Sequence, residues 1–141
     1  SGTMEAVSRG ASEAGGHVIG VTCDEIEVWR PTDPNAWVAE EWRCHSFNDR
    51  LNTLVTHCDA AIALPGGIGT LLEIALTWNQ LVIGIIEPKP VILLGSAWQK
   101  VLETFFSELG DYIPVDDRQY LAYAPDPSTA LELLRHFLGL V

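Results

Sequence analysis

Apolar residues along the chain follow two spacings, one typical of strands and the other typical of helices. Short apolar runs predict buried strands at residues 17–22, 60–64, 91–94 and 120–124. Apolar positions that recur every three or four residues predict helices at residues 4–14, 47–55, 71–81, 98–109 and 127–138. Strands that alternate with helices of this length favour a parallel sheet covered by helices on both faces. We therefore predict a single α/β domain over residues 1–141.

The segment from Cys23 to Asn35 interrupts this alternation, because it is rich in acidic residues and proline. We expect an exposed loop there. Its carboxylates are candidate metal ligands, but they lack a regular ligand spacing, so a solvated loop is favoured. Trp29, Trp37 and Trp42 lie in or beside the segment. They can stack on a base, although tryptophans more often close a small core over a loop.

The stretch from Pro65 to Glu73 carries the most specific chemistry, with the sequence Pro-Gly-Gly-Ile-Gly-Thr-Leu-Leu-Glu. It joins a predicted strand to a predicted helix. Glycines let backbone N–H groups approach a ligand, and a helix N-terminus adds unpaired donors and a partial positive charge. The predicted phosphate ligands are the consecutive residues Gly66, Gly67, Ile68, Gly69 and Thr70. A helix that opens near Leu71 puts Glu73 in its first turn, where it either favours the helix dipole or handles a neutral or cationic part of the ligand.

The formal net charge of −11 narrows the range of partners. Nucleic acid and an anionic membrane are disfavoured, because either would need a basic patch. Because the net charge repels a phosphate, we expect local backbone dipoles and one nearby arginine to hold any phosphate that binds. Cys23, Cys44 and Cys58 are scattered, so we expect reduced thiols in a cytoplasmic protein and no zinc site. No apolar run approaches the roughly 20 residues of a membrane span.

The string at residues 65–73 resembles the signature of a family once called lysine decarboxylases. That family is now understood as cytokinin riboside 5'-monophosphate phosphoribohydrolases of the LONELY GUY type and related Rossmann-like nucleotide-binding proteins. Residues 77–81, Thr-Trp-Asn-Gln-Leu, are similar to its Thr-Trp-x-Gln-Leu motif, and residues 15–21 are similar to its second strand. Nearly the whole chain can be placed on this pattern. The resemblance implies a Rossmann-like parallel sheet with helices on both faces.

The same resemblance implies a catalytic pair. In the family, the helix that here follows Ser46 carries an arginine-lysine pair, and its arginine acts in substrate binding and catalysis with the motif glutamate. Arg50 matches that arginine and Glu73 the glutamate, whereas Leu51 replaces the lysine. A guanidinium suits phosphate or ribose oxygens. The alternative for Arg50 is a surface charge paired with Asp49 or with an acid of the loop.

The first residues also depart from the family pattern. The chain runs directly from Ser1 into the first helix, whereas the family has a strand-helix-strand unit and a glycine turn before it. Gly2 matches the last glycine of that turn, so the resemblance implies nucleotide contacts from Gly2, Thr3 and Met4. A sheet without the unit would expose an apolar edge and a helix face, which favours a homodimer. The alternative is a sequence that begins partway along a longer chain.

Together these residues predict hydrolysis of the N-glycosidic bond of a nucleoside 5'-monophosphate, giving a free base and ribose 5-phosphate. The bound phosphate would fix the ribose, and Glu73 would stabilise the oxocarbenium character that develops on it. An adenine-type or cytokinin base is implied only by the resemblance. The reaction requires no metal, and we predict no cofactor.

Three other functions compete with hydrolysis. A carrier that binds a nucleotide or the molybdenum cofactor shares the glycine turn and is favoured by Leu51. A dinucleotide-dependent oxidoreductase is disfavoured, because Leu72 stands where that fingerprint has glycine or alanine. Lysine decarboxylation is rejected, because neither Lys89 nor Lys100 lies in the setting of a pyridoxal phosphate site.

Overall fold

The computed structural model describes residues 2–29, 31 and 33–140. Its contacts divide the chain into two compact units, Ser1–His57 and Cys58–Val141. The first unit contains α1 (Thr3–Glu13), β1 (Ile19–Cys23), α2 (Asp24–Trp29), β2 (Glu40–Cys44) and α3 (Phe47–Thr56). The second contains β3 (Ala61–Ala63), α4 (Ile68–Val82), β4 (Val91–Leu94), α5 (Ser96–Leu109), β5 (Leu121–Ala124) and α6 (Pro127–Leu138). Two short 3-10 segments, Gly110–Tyr112 and Val115–Tyr120, lie between α5 and β5.

The first unit is built on a parallel pair of strands. β1 and β2 pair in register from Ile19 opposite Glu40 to Cys23 opposite Cys44, and α3 packs on both strands. Helix α1 is different, because none of its residues, all of which the structure describes, is buried. Its apolar residues Met4 and Val7 are 72% and 53% exposed. The first unit therefore presents the apolar face of α1 to solvent.

Two elements of the first unit differ from the sequence prediction. The expected loop after β1 contains helix α2, whose first turn holds Asp24 and Glu25, where negative side chains favour the helix dipole. The Arg43 guanidinium bonds Asp24 and Glu27, one turn apart, at 2.6 and 2.5 Å. Strand β2 has no counterpart in the prediction, because its sequence is mostly charged and only Trp42 and Cys44 are half-buried.

The second unit has a three-stranded parallel sheet in the order β3-β4-β5. Side chains of β4 alternate between two apolar clusters, as a strand covered on both faces requires. One cluster contains Ile74, Leu81, Val91, Leu93, Trp98, Leu102 and Leu121 from α4, β4, α5 and β5. The other contains Ile92, Ala124 and Ala130 from β4, β5 and α6. Helices α4 and α5 thus cover one face and α6 the other, which confirms the predicted α/β class.

Local capping agrees with the sequence at several helix ends. Gly15, just beyond α1, has a φ of 81°, a left-handed conformation that ends a helix. The Ser46 hydroxyl accepts a hydrogen bond from the Asp49 N–H at the start of α3. Asp126 accepts one from the Thr129 N–H at the start of α6, and Pro127 is the first helical residue. Among the described residues, no helix is both long and apolar enough to cross a membrane.

Candidate functional site

The centre of the candidate site is the turn between β3 and α4. Helix α4 begins at Ile68, and the Leu71 N–H donates to the Gly67 carbonyl at 3.0 Å. Because its N-cap residue is glycine, no side chain of that residue can satisfy the first N–H groups of the helix. The first-turn donors therefore come from Ile68, Gly69 and Thr70. An anion at this helix end would meet these N–H groups and the positive end of the helix dipole.

The position of Glu73 differs from our expectation. Because α4 begins at Ile68 and not near Leu71, its first turn contains no acidic residue, and Glu73 is the sixth helical residue. At 1.5 Å per residue, its Cα lies about 7.5 Å along the axis from that of Ile68. The carboxylate is thus removed from a phosphate at the helix end. Glu73 is half-buried, and the Thr77 hydroxyl donates to its backbone carbonyl at 2.7 Å.

The glycines of the turn are not equivalent. A Cβ added at Gly66 would lie 2.2 Å from Thr70 Oγ1 and 2.9 Å from Thr70 Cβ. A Cβ added at Gly67 or Gly69 would meet no described atom within 4 Å. Gly66 is therefore needed for the packing of the turn on α4, whereas Gly67 and Gly69 leave open space over the backbone.

The turn also rests on the start of α5, which the sequence did not predict. The Trp98 indole donates to the Leu64 carbonyl at 2.9 Å, and a Cβ added at Gly95 would lie 3.6 Å from Pro65 Cγ. Trp98 is a core residue that is 6% exposed, as its place in the apolar helical spacing of residues 98–109 indicates. The spacing gave no sign of the indole hydrogen bond. The signal present in the sequence is a glycine directly after β4 with a tryptophan three residues later.

Arg50, the other predicted catalytic residue, lies on α3 in the first unit. Its Nε donates to the Val21 carbonyl of β1 at 3.0 Å. Asp49, the partner considered for a surface charge, accepts instead from the Ser46 hydroxyl at 2.7 Å. Leu51, at the position where the resembling family has lysine, is 6% exposed and belongs to the core.

The predicted N-terminal contacts also lie in the first unit. Gly2 is the N-cap of α1 with a φ of 85°, and Gly2, Thr3 and Met4 are all exposed. A cavity of about 260 Å³ opens beside them, lined by Gly2, Glu5, Ala6, Arg9 and Trp37. Of the predicted residues, Gly2 alone contributes to its lining. Trp37, which lies just after the acidic segment Cys23 to Asn35, also lines this cavity.

The acidic residues after β1 form an ion-pair network on the surface. A hydrogen bond from His45, and next the Arg43 guanidinium, hold the pKa of Asp24 below its usual value. In turn, Asp24 and Glu27 raise the pKa of Arg43. A shallow cavity of about 450 Å³ lies here, lined by Asp24, Glu27, Val28, Pro31, Asp33 and Arg43. Two of the carboxylates that line this cavity, those of Asp24 and Glu27, are partners of Arg43 in the network.

Two solved structures with the same fold are those of molybdenum cofactor proteins. The chain aligns with the molybdenum cofactor carrier protein of Chlamydomonas reinhardtii at a TM-score of 0.71 and 24% identity, over 98% of this chain and 72% of that one. It aligns with the molybdenum cofactor binding protein of the phototrophic bacterium Rippkaea orientalis at a TM-score of 0.70 and 27% identity, over 96% and 71% of the two chains.

Proteins related to this chain in sequence are named for a different function. Two cytokinin riboside 5'-monophosphate phosphoribohydrolases of Arabidopsis thaliana are 32% and 34% identical over 96% and 95% of this chain. The chain spans only 60% and 61% of their lengths. A family model described as "Possible lysine decarboxylase" matches residues 4–134, which include the glycine turn, α4 and Arg50. The chain therefore belongs to the family described by that model, which confirms the predicted resemblance.

Proposed function

We propose that this protein hydrolyses the N-glycosidic bond of a nucleoside 5'-monophosphate to a free base and ribose 5-phosphate. One observation carries the proposal: α4 begins at Ile68 directly after the glycine turn, with Glu73 one and a half turns into the helix. The separation suits a ligand that has its phosphate at the helix end and a less negative part further along. The named activity of the phosphoribohydrolase relatives supports the same reaction.

In this proposal the 5'-phosphate accepts hydrogen bonds from the N–H groups of Ile68, Gly69 and Thr70. Side chains on a helix lean toward its N-terminus, which brings the Glu73 carboxylate back toward the bound ribose. There it stabilises the positive charge that develops on the ribose as the bond to the base breaks. Water adds to the anomeric carbon, and the base leaves with a proton. Arg50, on α3 of the first unit, is the other residue that we propose to act in catalysis, because a guanidinium suits phosphate or ribose oxygens.

The test is release of free base from a panel of nucleoside 5'-monophosphates, with the corresponding nucleosides as substrates that lack the phosphate. We expect release from a monophosphate and none from its nucleoside, because the phosphate supplies the binding energy that fixes the ribose. Glu73→Gln is expected to slow release by about 100-fold or more. Glu132→Gln makes the same change on the exposed surface of α6 and should leave the rate unchanged. A wild type that releases no base from any monophosphate contradicts the proposal.

A carrier of the molybdenum cofactor or of a nucleotide is the second candidate. It is favoured by the similarity to the molybdenum cofactor binding protein of Rippkaea orientalis, at 27% identity, and by the buried Leu51 in place of the family lysine. A carrier would keep its ligand intact through purification. Mass spectrometry of the denatured protein distinguishes the two, because a bound intact cofactor with no base release favours the carrier.

The remaining expectations are part of the same proposal. We propose a homodimer, which is supported by the exposed apolar residues Met4 and Val7 on α1. Light scattering that gives the mass of a single chain at micromolar concentration would contradict it. A phosphorylated small molecule is the proposed partner, with no nucleic acid or membrane, and a cytoplasmic location is proposed from the three free cysteines. One domain over residues 1–141 stays a prediction.

A further inference from the structure

We propose that Trp98 is a positioning residue, which holds the glycine turn in the conformation that receives phosphate; this inference rests on the proposed function. The indole Nε1 donates to the Leu64 carbonyl at 2.9 Å, and Leu64 directly precedes the turn. The last ladder pair of β3 and β4 is Ala63 opposite Leu93. Leu64 therefore lies beyond the paired residues of β3 and β4. Its carbonyl accepts a hydrogen bond from the Trp98 indole and not from β4.

The surroundings make this hydrogen bond consequential. Trp98 is 6% exposed, so water has little access to the bond from the indole side. Where water cannot take the place of a lost donor, the carbonyl pays a desolvation cost, and the backbone moves to recover a partner. For Leu64 such a movement carries Pro65 and the glycines with it.

A second contact from the same region supports Pro65. Gly95 directly follows β4 with a φ of 91°, and its N–H donates to the Ala124 carbonyl of β5 at 2.8 Å. This bond fixes Gly95 to the sheet. A Cβ added at Gly95 would lie 3.6 Å from Pro65 Cγ, so the proline ring sits close to the Gly95 backbone. The segment from Gly95 to Trp98 thus supports the first residues of the turn by one hydrogen bond and one packing contact.

The other end of the turn is held from α4, where Thr70 packs closely against Gly66. With both ends fixed, the first N–H groups of α4 keep one orientation before any ligand arrives. A binding site that is ordered in advance spends less of its binding energy on ordering. Trp98 would therefore affect phosphate affinity without touching the phosphate.

The experiment compares Trp98→Phe with Trp78→Phe in the whole protein. Trp78 is a matched control, since it is half-buried and its indole also donates to a backbone carbonyl, that of Asp117, at 2.7 Å. Each variant loses one indole–carbonyl bond, but only Trp98 bonds to the residue before the turn. Amide hydrogen exchange is followed at Leu71 without ligand, because its N–H donates to the Gly67 carbonyl of the turn at 3.0 Å, and adenosine 5'-monophosphate is then titrated into each protein.

We expect exchange at Leu71 to be about fivefold faster in Trp98→Phe, which corresponds to one neutral hydrogen bond, and unchanged in Trp78→Phe. The dissociation constant for adenosine 5'-monophosphate should rise by a similar factor in Trp98→Phe alone. Exchange at the turn that matches the wild type in folded Trp98→Phe overturns the inference, as does an equal increase in both variants. A wild type that binds no nucleotide contradicts the proposed ligand, and the exchange comparison still decides the role of Trp98.

Discussion

Replacing Gly66 by alanine tests whether the turn is packed on α4 as the structure indicates. The new methyl group would lie 2.2 Å from Thr70 Oγ1 and 2.9 Å from Thr70 Cβ. Rotation of the Thr70 side chain can move the hydroxyl but not the Cβ, so the backbone has to shift. Overpacking of this kind costs about 1–3 kcal/mol of unfolding free energy. With a urea dependence of about 1–3 kcal/mol per molar, the unfolding midpoint should fall by about 1 M.

Gly69→Ala is the matched control, because it makes the same glycine-to-alanine change in the first turn of α4, at a position with open space. A Cβ there meets no described atom within 4 Å, and alanine is up to about 1 kcal/mol better than glycine in a helix. This variant should keep or raise the urea midpoint. Both changes should weaken nucleotide binding, Gly66→Ala by moving the turn and Gly69→Ala by placing a methyl group where a phosphate approaches.

The assay is urea unfolding followed by tryptophan fluorescence, with the double variant Gly66→Ala, Thr70→Ala included. Removing Oγ1 and Cγ2 of Thr70 leaves only the 2.9 Å contact of its Cβ, so the double variant should recover part of the lost stability. The recovery appears as a favourable interaction term in the mutant cycle. Equal midpoints for wild type and Gly66→Ala, or equal losses in Gly66→Ala and Gly69→Ala, would refute the packing of the turn described here.

Three further changes test other parts of the account. The hydrogen bond from the Thr129 N–H lowers the pKa of Asp126 in the folded protein. The stability that this cap contributes is therefore present above pH 3.8, the usual pKa of the group, and is lost as the pH falls through the lowered pKa. Between pH 7 and pH 3 the urea midpoint should fall less in Asp126→Asn than in the wild type. Ser46→Ala removes the cap of α3 and should cost about 1 kcal/mol by urea unfolding, whereas Ser128→Ala in the first turn of α6 should change stability by less than about 0.5 kcal/mol. Arg50→Lys should reduce base release by about tenfold or more, because an ammonium cannot reproduce a bidentate guanidinium contact, while Arg135→Lys on the exposed surface of α6 should have no effect; an equal rate in both would remove Arg50 from the proposed mechanism.

The second unit follows its sequence closely because its signals are local and strong. The apolar run at residues 91–94 became the fully covered strand β4, and Asp126 with Pro127 began α6 as predicted. In the first unit the charged residues of β2 and α2 carry little apolar pattern. Their structure depends on pairing with β1 and on the ion pairs of Arg43, which are not readable from spacing.

The local structure around the glycine string was predicted only in part. The glycine string correctly located the turn, but the start of α4 was placed three residues late, because Ile68 is 82% exposed and does not follow the apolar stripe of the helix. That displacement changes the role of Glu73 from a first-turn charge to a group removed from the helix end. The contact between Trp98 and Leu64 joins residues 34 positions apart, and no local pattern predicts it.

The most direct test of the central claim is the response of the α4 backbone amides to a phosphate. NMR chemical shifts of the backbone amides are recorded while adenosine 5'-monophosphate, adenosine or inorganic phosphate is added to the protein. If the first-turn N–H groups bind the phosphate, the amide signals of Ile68, Gly69 and Thr70 change saturably with the nucleotide and with inorganic phosphate, and do not change with adenosine. Nucleotide binding that leaves these three amides unchanged, or equal shifts with adenosine, would contradict it.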